Sequence, residues 1–320
     1  MIKVGVVGGT GFTGGELLRI LVNHPEVEIS WVYSRAAVGK SIQSVHSDLD
    51  ELGKVDFVDQ CSWAVDLVFL CLPHETAKNF VDKEEIPSKV NIIDLSRDYR
   101  LGAPEGFAYG LPELQRSKLK NVDRIANPGC FATCIQLALL PVAEKKVLDS
   151  DIQITGVTGS TGAGKGLSAT THFTWRTSNI SVYKALTHQH IPEVRQSLLQ
   201  LQASFNKRIN FIPMRGNFTR GILTSLYMDT KWNQEKALAT FKAYYQDHPF
   251  VTVTDKSIDM KEVVNTNKAK ISVNVIDGQL HIVSVIDNLI KGASGQAVQN
   301  MNLMFGFDEV AGLNLKSIAY

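Results

Sequence analysis

No stretch of this chain approaches the roughly 18 consecutive apolar residues that a membrane-spanning helix needs, so no membrane role is expected. Charge of one sign is not in excess either: 33 Lys and Arg stand against 32 Asp and Glu, a formal net charge of +1. Such a balance argues against nucleic acid or an anionic membrane surface as the main partner. Cysteine is scarce, with 4 in 320 residues: Cys61, Cys71, Cys130 and Cys134. Thiols so few in so long a chain make no disulfide framework, and a reducing cytoplasm is the expected setting. The opening MIKVGVVGGTG is too short and too rich in glycine for a signal peptide. Internal repeats and low-complexity tracts are absent. The composition is 44% hydrophobic and 20% charged, ordinary for a globular protein, and the length suggests about two domains.

The first third reads as strand and helix in alternation. Ile2 to Val7 is an apolar run ending in glycines, and Leu17, Leu18 and Leu21 then recur at helical spacing within Gly14 to Val22. Val27 to Tyr33, Leu67 to Leu72 and Asn91 to Leu95 read as further strands, the second apolar throughout, as burial on both faces requires. This alternation predicts an N-terminal α/β domain of Rossmann type, a doubly wound parallel sheet. Further on the texture changes. Asp151 to Thr158, Gly221 to Met228, Lys270 to Ile276 and Gln279 to Ile286 read as longer strands, the last two joined by the hairpin signal Asp277-Gly278. Helical segments near Pro192 to Ala203 and Gln234 to Tyr245 lie between them, which predicts a second, α+β domain with a mostly antiparallel sheet and helices on one face. The expected division is 1–129 and 130–291, with the terminal stretch from about 292 to 320, helical over Ser294 to Phe305, returning to the first domain.

Gly8-Gly9-Thr10-Gly11-Phe12-Thr13-Gly14 follows the first strand and opens the first helix. Two registers fit a dinucleotide fingerprint, Gly8, Gly11, Gly14 or Gly9, Gly11, Gly14. In either, the chain must turn tightly, let its backbone approach a pyrophosphate and present N–H groups at a helix start. The second strand then bears on the cofactor. It ends Tyr33-Ser34-Arg35, where an NAD-binding chain usually carries an acid for the ribose hydroxyls. A hydroxyl and a guanidinium suit a 2′-phosphate, so NADP(H) is expected, unless Arg35 is a solvated surface charge. A second glycine run, Gly159 to Lys165, satisfies G-x-x-x-x-G-K, but Gly166 stands where Mg²⁺ binding needs Ser or Thr, and no convincing long helix follows. It reads as a loop touching cofactor or substrate phosphate, with a phosphate-hydrolysing enzyme as the runner-up.

Asn127-Pro128-Gly129-Cys130 precedes an apolar helical run, Phe131 to Ala143. Pro and Gly break the chain just ahead of the cysteine. Cys130 is therefore expected at a helix N-terminus, where N–H groups and the dipole favour a thiolate. Cys61, Cys71 and Cys134 read as small core hydrophobes. His188-Gln189-His190-Ile191-Pro192-Glu193 supplies two imidazoles and a carboxylate. Histidine accepts a proton from a thiol and returns one to a developing alkoxide near neutral pH, and Glu193 could orient an imidazole. Surface histidines are one competing reading; a zinc site of Cys130, Cys134, His188 and His190 is another, although no metal is expected. Arg100 and Arg220 are candidate clamps for a substrate carboxylate or phosphate, or else structural ion pairs.

These segments are joined by LCLPHETA at Leu70 to Ala77, IIDLSRDYRL at Ile92 to Leu101, YGLPEL at Tyr109 to Leu114, RGI at Arg220 to Ile222 and KGASGQAVQNMNLMFGFDE at Lys291 to Glu309. Their order, along nearly the whole chain, resembles the N-acetyl-gamma-glutamyl-phosphate reductases, relatives of the aspartate-semialdehyde dehydrogenases. The resemblance implies NADPH-dependent reduction of an N-acylated glutamyl 5-phosphate to the semialdehyde, with release of phosphate, in arginine biosynthesis. It implies a homo-oligomer formed through the second domain, the first being the NADP-binding one. Cys130 matches the family's nucleophile, His190 its acid/base histidine, Glu193 the carboxylate partner and His188 a second active-site imidazole. The candidate cofactor contacts are Gly8, Thr10, Gly11, Phe12, Thr13, Gly14, Ser34, Arg35, Pro73, Ser160, Gly162, Asn288 and Gln296; the candidate substrate contacts are Arg100, Asn127 and Arg220. Two departures concern the substrate end. Tyr183 to Thr187 lacks the glycine pair often found before the histidines, and the region Phe173 to Ser181, with TWRTSNIS within it, is unusual. The acyl group is therefore open between acetyl and succinyl, and aspartyl or carrier-bound aminoadipyl phosphate is the alternative substrate.

Overall fold

A computed structural model describes residues 1–52 and 55–318. The chain divides into two compact units, one of residues 1–129 with 293–314, the other of residues 130–292 with the tail from Leu315.

In unit 1 the elements run β1 (Ile2–Val7), α1 (Phe12–Leu21), β2 (Val27–Tyr33), β3 (Phe57–Val58), β4 (Leu67–Leu70), α2 (Ala77–Lys83), β5 (Asn91–Asp94), β6 (Ala108–Tyr109), α3 (Pro112–Leu119) and β7 (Arg124–Ala126). The strands form one sheet in the order β3-β2-β1-β4-β5-β7-β6, parallel at every pairing. The parallel α/β fold expected from the sequence is thus present. Central β4 is buried along its whole length, as a strand covered on both faces must be. It ends at Leu70; the Cys71 N–H still donates to the Val7 carbonyl at 2.8 Å, and Pro73, which has no N–H, follows two residues later. The strand order reverses between β1 and β4, so the loops leaving these two strands open the crevice where such sheets bind ligands. The helix that returns to this unit, α8 (Gly295–Phe305), packs against α1, α3 and β5. Its buried amides have partners: Asn302 Oδ1 meets His24 Nε2 at 2.9 Å, and Asn300 Nδ2 donates to the Gly110 carbonyl at 2.9 Å.

Unit 2 opens with α4 (Cys130–Glu144) and continues through β8 (Ile152–Thr158), α5 (Phe173–Arg176), β9 (Ser181–Val182), α6 (Ile191–Leu201), β10 (Ile209–Arg215), β11 (Ile222–Asp229), α7 (Gln234–Tyr245), β12 (Val251–Thr254), β13 (Ala269–Ile276) and β14 (Gln279–Ile286). Its sheet runs β12-β13-β14-β11-β8-β10-β9. β12 with β13 and β8 with β10 are parallel, and the other neighbours are antiparallel. The β13–β14 hairpin turns on Asp277 and Gly278, at φ 48° and 75°, the left-handed pair of a type I′ turn. One sheet face packs on α4 and α7 around Phe131, Leu137, Phe211, Leu226, Phe241 and Ile282. α4 is buried from Phe131 through Ala143, so it is the centre of this unit rather than an amphipathic cover. The other sheet face shows Ile212, Tyr227 and Ile276, 38%, 50% and 59% exposed.

Candidate active site

Each glycine of the first loop answers a different demand. Gly8 sits at φ 83°, and a Cβ there would lie 2.4 Å from the Cys71 carbonyl oxygen, so the turn needs glycine for both reasons. A Cβ on Gly9 would strike Val32 at 2.2 Å, and one on Gly14 would strike the Gly8 carbonyl at 2.6 Å. Gly11 differs. Apart from its chain neighbours, the nearest atom to a Cβ there is Gly8 O at 3.7 Å. The protein itself does not require the missing side chain at Gly11, and the open space there suits a ligand that approaches the backbone. Gly11 also caps α1 without any side-chain bond, so the N–H groups of the first turn, from Phe12 through Gly14, face no competing oxygen from the cap. The Thr13 carbonyl accepts from Ser294 Oγ at 2.8 Å, and His46, which no local pattern marked, braces the loop through Nε2 at 2.7 Å from the Gly9 carbonyl. Thr10 lies half-buried within the turn. This loop fits a dinucleotide pyrophosphate.

At the end of β2, Ser34 is buried, its N–H donating to the Val58 carbonyl at 3.0 Å, while Arg35 is exposed and its Nε donates to the Tyr33 hydroxyl at 2.6 Å. No acid follows β2 directly. After β4, the Pro73 carbonyl accepts from Thr76 Oγ1 at 2.5 Å. Asp98 takes the backbone N–H groups of Glu75, Ala77 and Lys78 at 2.7, 3.0 and 3.2 Å, which caps α2 from a distant loop. Asp94, fully buried, is pushed up to about 6 by burial, against the opposing effect of its bonds from Ser96. Arg100 is buried and its Nη2 donates to the Leu95 carbonyl at 2.8 Å. Asn127 spends its amide within the unit, donating to Ala293 O and accepting from Asn300 Nδ2, both at 3.0 Å. Gln296 is fully buried on α8.

In unit 2, Cys130 is the first residue of α4 and half-buried. Gly292 lies against it: a Cβ at that position would stand 2.8 Å from the Cys130 Cβ. The next residue, Phe131, meets the ring of His188 edge-on at 5.6 Å. His188 is enclosed by Phe131, Tyr183 and Phe211, the last two at 5.7 and 5.4 Å, with the His190 ring at 4.7 Å. Burial among these rings, and then the Lys184 charge, lower His188 to about 4, so it is neutral at neutral pH. Its Nδ1 accepts the His190 backbone N–H at 3.2 Å, which places its own proton on Nε2. His190, 6% exposed, occupies the cap position of α6, and Glu193, 2% exposed, lies in the first turn. Farther along, Ser197 Oγ donates to Gln136 Oε1. With Phe131 on His188 and Gln136 on Ser197, α4 and α6 run side by side in the same direction. Both N-termini, and their positive dipole ends, therefore lie at the same end as Cys130. Burial first, and then Cys130, push the Tyr183 phenol upward, which keeps its proton in place. Burial also raises the other thiols: Cys134 to about 11, Cys61 to about 12, and Cys71 further.

The remaining candidates surround the second glycine run. The Ser160 N–H donates to Phe218 O at 2.8 Å and the Gly162 N–H to Gly159 O at 3.2 Å, in a 3₁₀ turn rather than a long helix. Asn288 braces that turn, its Nδ2 donating to Thr161 Oγ1 at 2.9 Å while its Oδ1 accepts the Gly221 N–H at 2.7 Å. Arg220 forms a two-pronged pair with Asp287, Nε at 3.1 Å and Nη2 at 3.2 Å. Among the described residues no group of three or more His, Cys, Asp or Glu could hold a metal ion.

Two family models match the chain: a semialdehyde dehydrogenase NAD binding domain over residues 3–122 and a semialdehyde dehydrogenase dimerisation domain over residues 130–288. A Parabacteroides distasonis protein named N-acetyl-gamma-glutamyl-phosphate reductase is 51% identical over 324 residues, covering 100% of both chains. A Christiangramia forsetii protein of the same name is 49% identical and covers 99% of each. Among solved structures, aspartate semialdehyde dehydrogenase II of Vibrio cholerae complexed with ASA has a TM-score of 0.75 at 17% identity, over 95% of this chain and 98% of that one. Aspartate semialdehyde dehydrogenase of Candida albicans with NADP has a TM-score of 0.72 at 15% identity, over the same shares. At those identities the likeness is one of fold.

Proposed function

We infer that this chain, which belongs to the N-acetyl-gamma-glutamyl-phosphate reductase family, reduces an N-acylated γ-glutamyl phosphate to its semialdehyde in arginine biosynthesis, with Cys130 as nucleophile and NADPH as cofactor. The observation that carries this reading is the cluster at the start of α4: one thiol at a helix N-terminus, a neutral histidine packed on the ring of the next residue, Phe131, and a second histidine at a parallel helix start. Arg35 and Ser34 at the end of β2, without an acid, support NADPH over NADH.

The Cys130 thiolate, favoured by the dipoles of α4 and α6, attacks the acyl phosphate carbonyl and expels phosphate, leaving a thioester. Bound NADPH supplies the hydride that reduces the thioester carbon. The backbone N–H groups at the start of α4 stabilise the oxyanion at each tetrahedral stage. His190 donates a proton to that oxygen and recovers it as the aldehyde leaves. His188, neutral and bonded to the His190 backbone, fixes where His190 stands, and buried Glu193 in the same first turn supports it. Arg220, oriented by Asp287, and Arg100 serve the substrate's carboxylate and phosphate. The match to a dimerisation domain supports a homo-oligomer, with the apolar outer face of Ile212, Tyr227 and Ile276 as the surface offered, and a cytoplasmic setting suits the free thiols.

The test is the reverse reaction: phosphate-dependent oxidation of a semialdehyde, followed as reduced cofactor. An N-acylated glutamate semialdehyde should be consumed. Turnover of aspartate semialdehyde with none of the acylated glutamate compound would overturn the assignment.

A further inference from the structure

Along β8, Ile152, Ile154, Gly156 and Thr158 face α4, while Gln153, Thr155 and Val157 face the open side of the sheet. Thr158 is the one inward residue of this strand with a polar side chain. It is 2% exposed, and among the described residues its Oγ1 has no hydrogen-bond partner. A buried hydroxyl left so is destabilising, and valine, of nearly the same shape, would avoid the cost. Register places this hydroxyl at the reacting end. Cys134 Sγ lies 3.3 Å from Thr224 Oγ1 and 3.2 Å from Ser284 O, and Thr224 stands opposite both Gly156 and Ser284 in the sheet. The C-terminal end of α4 leads by a short connection to the start of β8, so Cys130 lies toward the other end, where β8 finishes. Gly292, which follows the end of β14, lies against Cys130 there. One helical turn back from Cys134 is about 5.4 Å, and two residues along a strand are about 6.6 Å. The row beneath Cys130 is therefore Thr158, Ile222 and Ile286, which pair in register. The two isoleucines are fully buried and apolar. On the far side of Thr158, its β10 partner Arg215 leans over the Tyr183 ring at 4.8 Å.

The turn that follows β8, Ser160–Ala163, passes over Thr158 at Gly162. Gly162 does not have a positive φ. Apart from its chain neighbours, the only atoms within 4 Å of a Cβ there would be those of Thr158, Oγ1 at 3.2 Å and Cγ2 at 3.7 Å. A side chain at 162 would crowd this hydroxyl and meet nothing else. We propose that Thr158 is a further catalytic residue, whose hydroxyl donates a hydrogen bond to the oxygen of the acyl group while the carbon of that group is bonded to Cys130. It acts beside the N–H groups that open α4. Negative charge gathers on this oxygen in the tetrahedral stages, so the bond is strongest where it lowers the barrier. The turn closes the hydroxyl from bulk solvent and shifts to admit the acyl oxygen, so water does not compete for the bond. The hydroxyl keeps its proton throughout, and proton transfer stays with His190.

This role rests on the thioester reaction assigned above, and the experiment separates the two. The phosphate-dependent reverse assay is run with whichever N-acylated glutamate semialdehyde the wild type consumes, on the wild type, Thr158→Val, Thr158→Ala and Thr158→Ser. Urea unfolding and the rate of Cys130 alkylation by iodoacetamide are measured on the same proteins. In Thr158→Val kcat should fall by on the order of 10²–10³-fold, the loss usual for one oxyanion donor, with KM little changed. Thr158→Ala should lose as much, and Thr158→Ser should recover most of the rate. The unfolding midpoint of Thr158→Val should equal or exceed that of the wild type, because no hydrogen bond within the protein is broken. Alkylation should keep its wild-type rate in all three, since the hydroxyl serves the acyl oxygen and not the thiolate. A valine variant with wild-type kcat, or with a loss confined to KM, overturns the proposal while leaving the reaction standing. So does a valine variant that loses stability along with rate, because the hydroxyl would then hold the fold together, and so does a matching fall in alkylation. Should Thr158→Val fold poorly, the other two decide: an active serine variant beside an inactive alanine variant supports the role, and equal impairment overturns it. A wild type that consumes no N-acylated glutamate semialdehyde sinks the reaction and this role together.

Discussion

The starts of α1 in unit 1 and of α4 in unit 2 both follow a glycine, and they use the same helix-end polarity for opposite purposes. At α1 the side chains are removed. Gly11 caps the helix with nothing, and the space where its Cβ would stand is clear of the protein to 3.7 Å. At α4 the glycine lies just outside, and the first helical residue carries a thiol with Gly292 close against it, while the next residue, Phe131, packs on His188. One end offers backbone to a ligand; the other offers a side chain to a reaction. The difference is that a binding end can be written in consecutive residues, whereas a reacting end must be assembled from residues 130, 183, 188–193 and 292.

The harshest way to break that division is Cys130→Ser. If α4 does the chemistry and α1 the binding, kcat should fall by on the order of 10⁴-fold or more, because no other thiol is activated. NADPH affinity, read by fluorescence titration, should hold within about two-fold, the scatter expected for a site that lost no contact. A parallel loss of cofactor affinity would show that the two ends are not separate in function.

A smaller effect comes from His188. Its native value of about 4 lies below the ordinary 6.5, so between those pH values the unfolded chain binds the proton and the native chain does not. Stability therefore rises with pH across that window: the contribution is fully present above about pH 6.5 and lost as pH falls toward 4. For a shift of this size it amounts to at most about 3 kcal/mol. Urea unfolding of the wild type and of His188→Gln, at neutral pH and near pH 4, isolates it. The gap in slope between the two proteins is the measure, because His24 and His74 are lowered too and add slopes of the same sign. Equal pH slopes in both proteins would mean that His188 is not the buried neutral base described here.

How far the sequence revealed these two ends follows from how local each is. The glycine loop, the long strands and the Asp277-Gly278 turn were legible, since a few adjacent residues decide them. Strands β3, β6 and β9 span two residues each and carry no period to read. β10 was not among the expected strands; it carries Pro213, and it survives in the sheet with only the short β9 as its outer neighbour. Tyr183, Gly292 and Asp98 act through partners far away in sequence, which no local pattern records.

The mildest prediction concerns Arg35, at the binding end. Its guanidinium is exposed and held only by the Tyr33 hydroxyl, so it contributes nothing to the core, and removing it should leave folding intact. What Arg35→Ala removes is a charge placed for a 2′-phosphate, and the neighbouring Ser34 is buried with its backbone N–H already committed to Val58. Such an exposed contact, screened by solvent, should account for about ten-fold in NADPH affinity and almost nothing in NADH affinity. Two measurements test this: the ratio of kcat/KM for the two cofactors, and the alkylation rate of Cys130, which should not change. A ratio that does not move would place Arg35 among the solvated surface charges and leave the cofactor preference to some other residue. A change in thiol reactivity would contradict the contrast itself, since it would make a residue at the end of β2 part of the reacting end.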